Sequence, residues 1–99
     1  MRFVTNETIK KMSIDDFNNS ISENPHSQKS IILEYMRKFD PCAFTSAPVY
    51  DKLTGEMVFD ANNAHSDGTF TWYESEIYHF EKYNLKLNDD FIQHILDNF

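Results

Sequence analysis

The chain has 99 residues, 9 basic against 16 acidic, for a net charge of -7. Its residues are 40% hydrophobic and 15% aromatic, with one Cys and two Gly. That length fits one domain, and the aromatic content supplies a packed core, so wholesale disorder is excluded. No apolar run approaches the ~20 residues that cross a bilayer, and the opening Met-Arg-Phe-Val-Thr lacks the apolar stretch of a secretory signal. With Cys42 unable to close an internal disulfide, the expected compartment is the reducing cytoplasm.

Met12 and Phe17 take the staple positions around Ser13, which caps a helix expected over 13–22. Ile14, Phe17 and Ile21 form its apolar face, and Asn24-Pro25 ends it. A second helix is expected over 27–39, with Ile32, Tyr35, Met36 and Phe39 buried. Basic residues near its C-terminus suit the helix dipole, and Asp40-Pro41 stops it.

The middle of the chain turns to β-favouring residues. Leu53-Thr54-Gly55-Glu56 reads as a turn between strands near 47–52 and 56–60. Asp67-Gly68 is a second turn leading into a strand at 69–73, and 60–66 reads as a polar loop. The expected sheet is small and antiparallel, with about three strands. Ser75 is the expected cap of a third helix that ends near Asn84, with Ile77 and Phe80 inward. Asn88 caps the last helix, whose face is Phe91, Ile92, Ile95, Leu96 and Phe99. This order of elements is α+β.

The net charge sits between Asp40 and Glu81. There, eight acids (Asp40, Asp51, Glu56, Asp60, Asp67, Glu74, Glu76 and Glu81) face one base, Lys52. Such a segment repels nucleic acid and attracts basic surfaces. Direct nucleic-acid binding is disfavoured, because no Lys/Arg stripe is present to neutralise phosphates.

Catalytic and metal chemistry finds little support. His65-x-Asp67 offers two ligands, and nothing nearby completes a tetrahedral set. Asp60-x-Asn62 opens like a calcium loop, but Thr71 stands where the bidentate Glu belongs. Cys42 lies at the entry to a strand and reads as a small buried residue. His79 and His94 read as satisfied structural or surface histidines, and Trp72 as a core residue. The expectation is a non-enzyme without metal or cofactor.

Three segments carry a resemblance. They are Tyr50-Asp51-Lys52-Leu53-Thr54-Gly55-Glu56, then Ser66-Asp67-Gly68-Thr69-Phe70-Thr71-Trp72, then Tyr78-His79-Phe80-Glu81-Lys82-Tyr83-Asn84-Leu85-Lys86-Leu87. Over about residues 48–96 the chain resembles the small immunity proteins of contact-dependent growth inhibition and related polymorphic toxin systems. The resemblance implies a cytoplasmic antidote that binds and blocks one cognate toxin domain. Many such toxins are nucleases, some RNA-cleaving, with basic clefts that suit an acidic partner. From the charge argument, the expected partner-binding residues are Asp51, Glu56, Asp60, Asp67, Glu74 and Glu76, with Tyr73 as an aromatic anchor. The rival reading is an acidic nucleic-acid mimic or adaptor of a phage or mobile element that inhibits a host nucleic-acid-binding protein.

Overall fold

A computed structural model describes residues 2–5 and 8–99. The elements run β1 (Arg2–Phe3), α1 (Ile14–Asn19), α2 (Lys29–Lys38), β2 (Pro41–Ala43), β3 (Val49–Tyr50), β4 (Met57–Phe59), β5 (Ala64–Ser66), β6 (Phe70–Tyr73), α3 (Glu74–Tyr83) and α4 (Asp89–Asn98). The fold is α+β, and its strands form two sheets. One has the order β1-β6-β5-β2, and the other is the β3-β4 hairpin.

The single expected sheet of about three strands is therefore corrected. β1 runs parallel to β6, with Arg2 opposite Phe70, and β5 pairs antiparallel with both β6 and β2. These additions were hidden for physical reasons. β1 is two residues long, too short to alternate. Strand β5 falls in the expected 60–66 loop because Ala64, His65 and Ser66 lack β-branched or large side chains. Its strand state comes from neighbours on both sides, not from propensity. Pro41 begins β2 at the sheet edge, where a missing N–H costs no ladder bond.

The helices follow the sequence pattern with shorter ends. The Ser13 hydroxyl accepts from the Asp16 amide at 3.0 Å, as an N-cap should. α1 stops at Asn19, so Ile21 lies beyond it, and Ile14 is exposed while Phe17 is buried. In α2, Ile32, Tyr35 and Met36 are buried. In α4, Phe91 and Ile95 are buried, whereas Leu96 and Phe99 are exposed, so the inward stripe is narrower than expected. The Asn88 side chain donates to the Phe3 carbonyl at 3.3 Å and tethers the start of α4 to β1.

Ser75 is not the cap of α3. The N-cap is Tyr73, whose amide donates to the Glu76 carboxylate at 2.6 Å. The amides of Glu74 and Ser75 are taken by the Asn63 carbonyl and by Asn62 Oδ1, at 3.1 Å each. Residues distant in sequence thus satisfy the donors that a local cap would have served. At the other end Asn84 adopts the left-handed conformation, φ 57°, that ends many helices. Its side chain accepts from Lys29 and donates to the Ser22 carbonyl.

The core is one contiguous cluster drawn from β1's flank, β6 and all four helices. Trp72 lies within it, with Phe91, Phe39 and Tyr35 at ring-centroid distances of 5.3, 5.8 and 6.1 Å. Its indole N–H donates to the Met36 carbonyl at 3.1 Å, so the ring is buried with its one polar atom satisfied. Cys42, expected to be buried, is exposed on β2. The strand lies at the sheet edge, where that side chain stands in solvent.

Candidate functional site: the β3-β4 hairpin and its anchor

The hairpin is built around Asp51. Its Oδ1 accepts from the amides of Leu53 and Thr54 at 2.9 and 3.0 Å, which shapes the turn. Its own amide donates to Glu56, and its carbonyl accepts from the Gly55 amide, both at 2.8 Å. Gly55 has φ 78°, which a residue with a side chain adopts only with strain. Val49 pairs with Phe59 and Tyr50 with Met57, with Val58 left over as a bulge.

The same carboxylate ties the hairpin to α3. Tyr78 donates to Oδ2 at 2.6 Å, Tyr83 donates to both oxygens at 2.8 and 2.7 Å, and Lys82 lies 3.2 Å from Oδ2. Asp51 is 1% exposed. Burial pushes its carboxyl up, but the Tyr78 and Tyr83 hydroxyls and the two turn amides outweigh that and hold it well below the usual range. Hydrogen bonds to Tyr78 and Asp51 raise Lys82 in turn. His79 adds a further tie, its Nε2 accepting from the Lys52 amide at 3.1 Å.

Above this anchor the hairpin presents apolar side chains to solvent. Tyr50 and Met57 are cross-strand partners and so share one face. Both are more than half exposed, Leu53 at the turn is 43% exposed, and Phe44 just before the hairpin reaches 76%. Glu56 and Asp60, both exposed, flank Met57 and Phe59 in sequence. Phe59 turns its ring toward Tyr78 of α3, with centroids 6.1 Å apart.

The seven sequence-predicted contact residues fall into three groups. Glu56 and Asp60 stand in solvent, and Tyr73 and Glu74 are partly covered. Asp51, Asp67 and Glu76 have their carboxylates inside the protein, where they hold elements together. Asp67 Oδ1 accepts from the amides of Thr69 and Phe70 at 2.9 and 2.8 Å. Its Oδ2 takes the Tyr35 hydroxyl at 2.5 Å and His94 Nε2 at 2.8 Å. Burial raises this carboxyl, but the Phe70 amide and the Tyr35 hydroxyl lead the bonds that bring it below the usual range. Glu76 has no cation beside it in the bonds described. Burial pushes its carboxyl up to about 7, against the opposing pull of the Tyr73 amide and Thr5.

His65 and Asp67 do not converge. Nδ1 of His65 donates to the Phe39 carbonyl at 2.8 Å, and its Nε2 lies 3.4 Å from Glu74. Among the described residues no cluster of three or more His, Cys, Asp or Glu side chains could hold a metal. A cleft of about 560 Å³ lies beside the hairpin, between the 8–10 turn, the 45–50 segment and the start of α3. The amides of Tyr73, Glu74 and Ser75 are already bonded, so none of the three is left for an anion there.

The residues that sequence reasoning missed are Phe44, Tyr50, Leu53 and Met57. The signal was available in the alternation of Val49 and Tyr50. One of two adjacent β-favouring residues must face away from the core. Compared with protein-family models, with curated proteins and with solved structures, the chain finds no match.

Proposed function

We propose that the chain is a binding protein whose partner is a basic protein domain, docked on the outer face of the hairpin. In this reading it is a cytoplasmic immunity protein, and the partner is a cognate nuclease-type toxin whose phosphate-binding surface it covers. The observation that carries the proposal is the composition of that face. Exposed Tyr50, Leu53 and Met57 sit beside exposed Glu56 and Asp60 on a hairpin fixed from beneath by buried Asp51. Aromatic and Met side chains anchor interfaces, and carboxylates around them steer a basic partner. No helix among the described residues is long and apolar enough to cross a membrane.

The test is association with the protein encoded beside this chain, followed by stopped flow. Raising salt from about 0.01 M to about 1 M shortens the screening length from ~30 to ~3 Å. The association rate is expected to fall by at least about tenfold over that range. A salt-independent rate, or capture of a host DNA-binding enzyme in place of the neighbour's product, rules out the immunity reading.

A further inference from the structure

The hairpin has two hydrogen-bonded ties to α3, and acid breaks them at different pH. The Asp51 tie rests on an ionised carboxylate held well below the usual range. The His79 tie rests on a neutral imidazole. Nδ1 of His79 lies 2.6 Å from the Ser75 carbonyl, and a carbonyl oxygen only accepts, so Nδ1 carries the proton. Nε2 must then be a bare lone pair, and it is this lone pair that takes the Lys52 amide across to the hairpin.

We infer that the His79–Lys52 bond is an acid-sensitive latch: a proton on Nε2 sets two N–H donors against each other, releases the Lys52 amide and loosens the turn end of the hairpin. Because it concerns binding at that hairpin, the regulatory part of this inference rests on the function proposed above.

The surroundings of His79 favour the neutral form at ordinary pH. The ring is 0% exposed, and burial lowers its affinity for a proton, against the opposing influence of the Ser75 carbonyl and Asp51. From the hairpin it faces the charges of Asp51 and Lys52. From its own helix come Lys82 and the hydroxyl-bearing rings of Tyr78 and Tyr83. From α1 comes the edge of the Phe17 ring, 5.4 Å away and apolar. Only Asp51 among these draws a proton to His79, and its oxygens are already engaged by two hydroxyls, two amides and Lys82. The latch therefore opens below the ordinary histidine value of 6.5. The Asp51 tie is still intact there, so the turn loosens without the protein unfolding.

Amide hydrogen exchange on the full chain, corrected for the intrinsic pH dependence of exchange, tests the latch without any partner. As pH falls from about 7.5 to the value at which the His79 ring takes up its second proton, protection at Lys52 is expected to fall by ~10-fold or more, while Trp72 in β6 keeps its protection. In His79→Gln the Lys52 protection should no longer change with pH. Nitrogen NMR of the His79 ring is expected to show the proton on Nδ1 at pH 7.5, which covers the case of a variant that does not fold. A proton on Nε2 at that pH, or equal loss of protection at Lys52 and Trp72, overturns the latch. For regulation, the partner's association is measured at both pH values in wild type and in His79→Gln. A pH effect confined to wild type supports control of docking, and identical pH dependence in the two overturns it. A latch that opens in a chain that binds no basic neighbour sinks the docking reading and leaves the latch standing.

Discussion

Tyr83 of α3 donates its one hydroxyl proton between both oxygens of Asp51, at 2.8 and 2.7 Å, across 32 residues of sequence. The tie holds a two-stranded hairpin, which is marginal by itself in water, against the body of the fold. Asp51→Ala would leave two tyrosine hydroxyls, two turn amides and Lys82 without their acceptor. We expect a loss of about 3 kcal/mol or more in urea unfolding. Asp51→Asn should cost less, because its amide oxygen still serves the turn. The carboxyl is depressed in the folded state, so its contribution is complete above the unfolded value of ~3.9 and is lost as pH falls below it. The acid limb of the wild-type stability curve should flatten in Asp51→Asn. An unchanged limb would show that the buried carboxylate adds nothing.

The outer face of the hairpin should behave differently. Tyr50→Ala and Met57→Ala remove exposed side chains, so unfolding free energies should stay within about 0.5 kcal/mol of wild type. If these residues anchor a partner, dissociation should quicken, with a cost in affinity of ~1 to 2 kcal/mol each. Glu56→Lys combined with Asp60→Lys should instead slow association and flatten its salt dependence. Wild-type binding kinetics in all of these variants would place the interface elsewhere on the molecule.

A second carboxylate, Asp67, brings three elements together. Tyr35 on α2, His94 on α4 and the turn before β6 all meet on it. In a double-mutant cycle, Tyr35→Phe and Asp67→Asn should show a coupling of about 1 kcal/mol. Losses that simply add would mean that the short Tyr35–Asp67 bond contributes nothing to stability. The cycle needs only chemical denaturation, since neither residue lies on the proposed docking face.

The acidity of the middle segment was legible in the sequence, but the direction of each carboxylate was not. Asp51 and Asp67 each open a turn, and their local bonds to amides two and three residues on follow from sequence. Their burial does not, because it is set by Tyr35, Tyr78, Tyr83 and His94 arriving from elements far along the chain. The same logic separates the elements that were found from those that were missed. The cap at Ser13 and the buried stripe of α2 depend on residues within two turns of each other. β1 exists only because β6 lies beside it, and β5 because β6 and β2 flank it. Of the seven candidate contact residues, Glu56 and Asp60 remain in solvent, and among the described residues no bond from a distant donor reaches their carboxylates.

Glu76 and His79 act in opposite senses on global stability, and the pH profile should show their opposition. Glu76 is raised to about 7 by burial, so the folded state holds a proton that the unfolded chain, near ~4.3, releases. Its influence makes stability fall as pH rises from about 4 to about 7. His79 is lowered, so the unfolded chain takes up the proton first, and stability falls as pH drops below 6.5. Just below pH 6.5 both groups act and the two slopes cancel in part, so the wild-type curve there should be flatter than either group alone would make it. Glu76→Gln keeps an acceptor for the Tyr73 amide and removes the buried charge. It should leave only the histidine slope, with stability now rising with pH through that window, and at about pH 8 it should be the more stable protein by ~1 to 3 kcal/mol. Urea titrations at intervals of about half a pH unit would resolve this. A variant curve parallel to wild type would show that Glu76 is not protonated at neutral pH, and that its carboxylate has a cationic partner or water to balance it.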